Sequence, residues 1–145
     1  MRRAGCVELT FGVDTGSPRL LGLVRKGFTA DEAAHTIGLA AEEGIAPVVN
    51  LIVGLPHETE EDFRETVAFV ERTRPFVRQF CAMAFNYTAG SPLFNEPTRF
   101  GLGRCGPRFA VLGGPSWQEH RETRRRRYEQ LVHQVLGYRS AAELD

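Results

Sequence analysis

Residues 45–54, IAPVVNLIVG, decide the fold, because they form an almost continuous apolar run in which Asn50 is the only polar side chain. Apolar residues occupy both the odd and the even positions of this run. That pattern is typical of a strand buried on both faces, as the strands of parallel sheets are. Neighbouring parallel strands must be joined by long crossovers, so the sequence on either side is expected to contain helices.

Upstream of this run, the sequence predicts one further strand and two helices. Residues 6–13, CVELTFGV, are rich in β-branched and aromatic side chains and lead into a cluster of turn formers. Ser17 and Pro18 then resemble a helix cap and a first helical residue. A second helix begins with a T-x-x-E capping box at Thr29 and is expected to end at Gly44.

Downstream of the central run, the same alternation continues. The acidic turn TEED at residues 59–62 suits a helix N-terminus, and apolar side chains recur at helical spacing until residues 73–75, TRP, break the pattern. Residues 77–85 predict a third strand. This order of elements predicts an α/β protein whose three parallel strands lie in sequence order.

After the third strand the sequence changes character. Residues 88–115 are rich in Gly, Pro, Asn and Arg. We interpret them as an excursion over the end of the sheet, a candidate lid, in which 95–115 form an irregular loop.

The last part of the chain, 116–145, is predicted to be a C-terminal helical segment. Ser116 and Glu119 supply another S-x-x-E capping box at its start. The arginines at 124–127 could meet phosphates, but interleaved glutamates favour a solvated helical face that pairs with itself.

The composition limits the possible classes of function. The chain has 145 residues, of which 42% are hydrophobic, and its 18 basic and 18 acidic side chains cancel to a formal charge of zero. A globally basic nucleic-acid binder is thereby excluded, no nucleic-acid partner is expected, and any charged partner must be met locally. No apolar run reaches the roughly 18 residues of a membrane-spanning helix, and residues 1–6 do not begin a signal peptide. We therefore expect a cytoplasmic protein.

The titratable residues identify neither a metal centre nor a catalytic group. Cys6, Cys81 and Cys105 are widely separated, so they predict no disulfide framework and no compact metal site. The four histidines lack the spacing of metal ligands. His57 and Glu58 are adjacent, but neighbouring loop residues need not face one site, so we assign no acid–base pair.

Three polar loops follow the three predicted strands: GVDTGS at 12–17, GLPHET at 54–59 and NYTAGSP at 86–92. The carboxyl ends of parallel strands meet at one edge of a sheet, and ligands bind there. Each loop taken alone is a common connection. The three loops in this order predict one shared binding site.

These segments carry a family resemblance. FGVDTGSPRLLGLVRKGFT, VVNLIVGLPHETEEDFRETVAF and FNYTAGSPLF resemble the second half of the catalytic barrel of radical S-adenosylmethionine (radical SAM) enzymes, most closely the subgroup with an N-terminal cobalamin-binding domain. The family motifs GxExGS, GLPGET and pGTpl occur in this order and at about this spacing. The resemblance covers residues 4–94. It implies that 1–94 form the C-terminal half of a partial parallel (βα) barrel, equivalent to strands four to six.

The resemblance also implies which residues bind the cofactor. Asp14 stands at the family's acidic position and Ser17 at its serine, and both are expected to contact the ribose or amino-acid end of S-adenosylmethionine. The end of the second strand would pack against the adenine, and the end of the third would lie near its edge: Ile52, Val53, Gly54, Leu55, Asn86 and Tyr87. His57 stands where the family usually has glycine.

One family element does not occur in this chain. The family's CxxxCxxC loop, whose three thiolates hold a four-iron four-sulfur cluster, is missing from the sequence. The resemblance therefore implies that the iron–sulfur cluster and any cobalamin belong to the parent enzyme or to a partner chain that supplies the N-terminal half-barrel. The isolated chain would be inactive, and the parent would be a cobalamin-dependent radical methyltransferase or a related enzyme.

Two other interpretations of the sequence remain open. A non-enzymatic α/β module could bind a nucleotide or a phosphate through the helix N-termini that follow the GVDTGS and GLPHET loops. Alternatively, the chain could be an interaction domain that uses its arginine-rich last helix.

Overall fold

The structure, a computed structural model, describes residues 1–106 and 108–138. Its centre is a parallel sheet of three strands in the order β1-β2-β3, which confirms the predicted α/β class and its partial (βα) barrel. The strands span Glu8–Asp14 (β1), Ala46–Val53 (β2) and Gln79–Ala84 (β3).

The connecting helices begin where the capping residues predict. Their bounds are Pro18–Leu23 (α1), Ala30–Glu42 (α2) and Glu60–Thr73 (α3). The hydroxyl of Ser17 accepts the N–H of Leu20 at 3.4 Å. Thr29 and Thr59 each form a complete capping box, and such caps satisfy backbone N–H groups that a helix cannot pair internally.

One face of the sheet forms the hydrophobic core with the helices. Val49, Leu51 and Val53 alternate along β2, are at most 1% exposed, and pack in one cluster with Ile37 of α2 and Phe63 of α3. Each such side chain contributes about 1.5–3 kcal/mol when it is removed from water.

The opposite face of the sheet, which we call the open face, carries the alternate side chains Thr10, Val48, Asn50, Ile52, Cys81 and Met83. Val48 is buried, the others are exposed or half-buried, and none of them belongs to the core cluster that β2 forms with α2 and α3. The sheet is therefore sealed by helices on one side only.

The segment 95–115, predicted as an irregular loop, contains regular structure. After the single turn Pro92–Asn95 (α4), a 3-10 turn leads into an antiparallel hairpin of Leu102–Cys105 (β4) and Arg108–Val111 (β5). The buried side chains Leu102 and Phe109 of this hairpin form a second cluster with Tyr87. Strands this short give too little alternation to be distinguished from a loop in the sequence.

The last helix spans Trp117–Glu129 (α5) and continues into a π-helical turn over Gln130–Val135. It packs against β2 and β3, and Leu131 is fully buried in the main core. The Tyr138 hydroxyl donates to the Phe80 carbonyl at 2.8 Å and so attaches the last described residue to β3. Within the described part of the chain, no helix is long and apolar enough to cross a membrane. The rest of the predicted C-terminal segment, 139–145, lies outside the described residues.

Candidate functional site

The carboxyl ends of the three parallel strands meet at one edge of the sheet. Asp14 aligns with Leu51 in the β1–β2 register, and Val53 aligns with Ala84 in the β2–β3 register. The loops at 12–17, 54–59 and 86–92 therefore leave the sheet at the same edge, which we call the rim.

Asp14 is held at the end of β1 by the only lysine in the chain. Its carboxylate lies 2.7 Å from Lys26 Nζ, which also donates to the Gly12 carbonyl at 2.7 Å. The pairing register shifts between Gly12 and Asp14, and Asp14 has a left-handed φ of 70°. The two paired side chains are 23% and 22% exposed, so this ion pair is accessible at the rim.

The next residues of the first loop attach it to α3. The Thr15 hydroxyl and the Gly16 N–H hydrogen-bond the Thr66 hydroxyl at 3.0 and 3.1 Å. A Cβ on Gly16 would lie 2.5 Å from the Cβ of Phe69 and 2.7 Å from the carbonyl oxygen of Glu65. Only glycine fits this close approach, so the packing of the loop on the helix already accounts for this glycine.

Ser17 is fully buried, and its hydroxyl donates to the Asp62 carboxylate at 2.6 Å. Asp62 also accepts hydrogen bonds from the Arg19 guanidinium at 2.5 Å and from the Thr59 hydroxyl at 2.6 Å. Burial alone would raise the pKa of Asp62, but these hydrogen bonds outweigh it and hold the pKa well below its usual range. In the sequence Asp62 is recognisable only as a helix-start residue, because its partner Ser17 lies 45 positions away.

The residues at the end of β2 lie in different environments. Val53 packs in the core, whereas Ile52 is half-buried on the open face. Leu55 is only 4% exposed. A Cβ on Gly54 would lie 2.2 Å from the Cγ of Arg124, so α5 packs directly on this turn. Ile52 is therefore the only one of the four predicted residues at the end of β2 whose side chain lies on the open face. Val53, Gly54 and Leu55 can present mainly backbone atoms to a ligand.

A buried ion pair joins the second loop to α5. Glu58 Oε2 lies 2.9 Å from Arg127 Nη1, and the two side chains are 2% and 7% exposed. Arg127 also donates to the Glu58 carbonyl at 2.9 Å, and its guanidinium lies over the Phe63 ring. Burial raises the pKa of Glu58, and the charge of Arg127 opposes that rise.

The sequence predicted that the arginines at 124–127 lie on a solvated helical face and pair with neighbouring glutamates. This prediction is wrong for Arg127. The buried residues His120, Arg127 and Leu131 and the half-buried Arg124 follow one another at spacings of four, three and four residues along the helix. That spacing places them on one helical face, and the same spacing in the sequence could have indicated a buried face. The signal was weak because most of these residues are basic, whereas a buried face is usually recognised by apolar residues.

His57 connects the second loop to the segment 88–115, the candidate lid. Its φ of 66° lies in the left-handed region, which glycine adopts without cost. Its Nε2 hydrogen-bonds the Phe100 carbonyl at 2.7 Å, and Gly101 packs beside the ring. The candidate lid is thus joined to the second loop in this structure.

The two predicted residues of the third loop lie in different surroundings. Asn86 is exposed. Tyr87 is 8% exposed and packs between Phe94 and Phe109, with ring centroids 5.1 Å from each. The Tyr87 hydroxyl donates to the Leu93 carbonyl at 3.3 Å, so Tyr87 helps to build the second cluster.

The open face next to the rim combines apolar and polar side chains. Asn50 aligns with Cys81, and Ile52 aligns with Met83, which is 49% exposed. An amide flanked by apolar side chains is the mixture that small-molecule sites use, since apolar area binds and a few polar groups orient the ligand.

The described cysteines do not fit an iron–sulfur cluster. Cys6 precedes β1, whereas Cys81 lies within β3 and level with Gly12 of β1. At about 3.3 Å per residue, Cys6 and Cys81 are about 20 Å apart along the strand direction. Over residues 1–106 and 108–138, no group of three His, Cys, Asp or Glu side chains could hold a metal ion.

Comparison with known proteins places this half-barrel among enzymes of one superfamily. The model of the radical SAM superfamily matches residues 1–70. A tRNA-2-methylthio-N(6)-dimethylallyladenosine synthase of Chloroflexus aurantiacus is 33% identical over 138 residues, which cover 92% of this chain and 26% of that protein. An uncharacterized methyltransferase of Pyrococcus horikoshii is 31% identical over 72 residues, covering 50% of this chain and 16% of that protein.

The chain belongs to the radical SAM superfamily, as its motifs indicate. Members of this superfamily use S-adenosylmethionine and a four-iron four-sulfur cluster. The chain spans between 16% and 26% of the length of the relatives described here.

Proposed function

We propose that this chain forms the S-adenosylmethionine-binding side of a radical SAM barrel. The observation that carries the proposal is the open face of the sheet, which runs up to the rim while helices seal the other face. A ligand on the open face can reach all three strand ends, because the parallel registers bring them to one edge.

Within this site, each residue has a proposed part. Ile52 and the backbone of Val53, Gly54 and Leu55 pack against the adenine, and Asn86 and Tyr87 lie near its edge. Asp14 and Ser17 meet the ribose or the amino-acid end. Ser17 is fully buried and Tyr87 is 8% exposed, and both donate their hydroxyl hydrogens within the protein, so contact of either side chain with the ligand would require the first loop or the second cluster to open.

We propose that the cluster ligands and the remaining strands come from a segment outside these residues, either in the same parent protein or in a partner chain. The outer edge of β1 pairs with no strand among the described residues. Such an edge presents unpaired N–H and C=O groups and is a template for a further strand. The remaining strands, added from that edge, would extend the sheet and curve it around the open face.

The names of the relatives support transfer of a methyl or methylthio group as the reaction of the whole protein. Cobalamin dependence is supported by the motif resemblance alone and is tested by the absorbance spectrum of the full-length protein. A cytoplasmic location is supported by the sparse cysteine usage of the sequence, which offers no disulfide framework.

Titration calorimetry tests the cofactor site on the purified chain. S-adenosylmethionine should bind more tightly than ATP, and Ile52→Asp should abolish the difference because it places a charge where the adenine packs. Leu39→Asp makes the same chemical change at a 47% exposed position on α2 and should leave binding unchanged. Equal weak binding of both ligands, or equal loss in both variants, would contradict the proposal.

A further inference from the structure

A cavity of about 740 Å³ lies along the outer face of α5, and none of its lining residues belongs to the rim or to the open face. Four arginines line it, three from α5 and one from β5: Arg108, Arg121, Arg125 and Arg126. We call it the arginine groove. Glu122 and Glu129 also line it, so the groove carries a net positive charge although the whole chain is neutral.

The arginines of the groove are largely available to a ligand. Arg108 and Arg121 form no ion pair with any residue that the structure describes. Arg125 pairs with Glu129 at 3.2 Å, and Arg126 approaches Glu60 at 3.8 Å. The side chains of Arg125 and Arg126 are 80% and 69% exposed, and such exposed pairs are weak and readily exchanged for a stronger anion.

The positive charges are also crowded. Burial and the neighbouring charge of Arg121 both lower the pKa of Arg124. Arg124 is held against the protein, since it donates to the Phe85 carbonyl and lies over the Trp117 ring. Anion binding in the groove would relieve this repulsion between like charges.

Trp117 gives the groove an aromatic wall at the start of α5. The Trp117 ring meets the Phe109 ring edge to face at 5.1 Å, which fixes its orientation. A fixed aromatic ring beside arginines is the combination with which proteins hold single-stranded nucleic acid, because bases stack while phosphates pair with the cations. A free polyphosphate would use the arginines but not the ring.

We propose that the arginine groove binds a single nucleic-acid strand, with phosphates on Arg108, Arg121 and Arg125 and a base against Trp117. Arg121 and Arg125 lie one helical turn apart, about 6 Å along the axis, so they can meet successive groups of an extended strand. The neutral total charge excludes binding by the whole surface, and the groove supplies the local surface that a charged partner requires.

Fluorescence anisotropy with a labelled 12-nucleotide single-stranded RNA tests the proposal on the purified chain. The double variant Arg108→Ala/Arg121→Ala should bind about tenfold more weakly. Its dependence of log affinity on log salt concentration should be shallower by about 1.4, since each phosphate contact on a single strand contributes about 0.7. The control Arg64→Ala/Arg78→Ala removes the same charge from exposed pairs on α3 and before β3, and should bind as the unaltered chain does.

Several outcomes would overturn the proposal. The first is the absence of RNA binding by the unaltered chain, and the second is equal weakening in both double variants. A third is displacement of the RNA by inorganic tripolyphosphate at matched phosphate concentration, which would assign the groove to small anions. Circular dichroism melting shows that each variant is folded. S-adenosylmethionine binding is measured separately. A negative result for the cofactor site does not affect the proposal for the arginine groove, and the reverse is also true.

Discussion

At the scale of single residues, Asp62 is the group through which pH acts most clearly on the fold. Its pKa lies well below the usual value because hydrogen bonds from Arg19, Ser17 and Thr59 outweigh its burial. In the unfolded chain this carboxyl has an ordinary pKa of about 4. Asp62 therefore stabilises the fold fully above about pH 4, and that contribution is lost as the pH falls toward the folded-state pKa.

Asp62→Asn should lower the free energy of unfolding at pH 7 by about 1.5–3 kcal/mol, the value of hydrogen bonds to a charged group. It should also reduce the loss of stability between pH 4 and pH 2. Urea unfolding across this range measures both effects. Glu61→Gln alters an exposed neighbour and should cost less than about 0.5 kcal/mol. An acid-induced loss as large in Asp62→Asn as in the unaltered chain would show that another group is responsible.

His57 combines a left-handed backbone with a hydrogen bond to Phe100, and two substitutions separate these effects. His57→Gly and His57→Ala both remove the bond, but only alanine keeps the backbone cost, so His57→Ala should be less stable by about 1 kcal/mol. Hydrogen exchange of residues 97–101 should become faster in both variants, because the excursion loses its attachment to the rim. Equal stability of the two variants, or unchanged exchange, would refute this role.

At the scale of elements, the sequence was sufficient to predict those features that depend on residues close together in the chain. The capping boxes at Thr29 and Ser116 and the acidic turn at 59–62 predicted three helix starts, because these signals involve residues at most three positions apart. The burial of Arg127 on α5 was not predicted, since Arg127 depends on Glu58, which lies 69 positions away. Charge pairing over such a distance leaves no local pattern in the sequence.

The contact between the first loop and α3 predicts a difference between two glycines. Gly16→Ala places a Cβ against the backbone and Cβ of α3 and should cost more than about 2 kcal/mol, since overpacking cannot be relieved by moving a flexible side chain. Gly22 lies within α1 with nothing within 4 Å of an added Cβ. Gly22→Ala should therefore be neutral or stabilising by up to about 1 kcal/mol. Thermal unfolding compares the two, and equal effects would contradict the close approach.

The ion pair between the second loop and α5 predicts a pH-dependent penalty. Arg127→Met leaves the Glu58 carboxylate buried and unpaired, which should cost about 3–5 kcal/mol at pH 7. Burial already raises the pKa of Glu58, and removal of Arg127 raises it further. Near pH 4 the carboxyl is protonated in the folded variant and largely protonated in the unfolded chain, so the variant should approach the stability of the unaltered chain there. It should lose stability as the pH rises above the unfolded-state pKa.

The double variant Glu58→Gln/Arg127→Met is the matched control for this penalty. It removes both charges, so its stability in urea unfolding should change little between pH 4 and pH 7. A penalty in Arg127→Met that is independent of pH would mean that lost packing on Phe63, not an unpaired carboxylate, explains the cost.

At the scale of the whole molecule, the sequence predicted the family, the strand order and the shared rim. Motif order is a property of the chain, and parallel pairing then brings the strand ends together. The direction of individual side chains was not predictable. Thr15 and Ser17 turn inward to α3, and Tyr87 turns to the hairpin, because each finds a partner far away in the sequence.

The most direct test of the central claim is a nuclear magnetic resonance titration of the 16.2 kDa chain with S-adenosylmethionine. Backbone amide shifts should change at residues 12–14, 50–55 and 83–86, which form the open face and the rim, while α2 and the arginine groove stay unchanged. Shifts confined to the groove, or no saturable shifts at the three strand ends, would contradict the assignment of this sheet face to the cofactor.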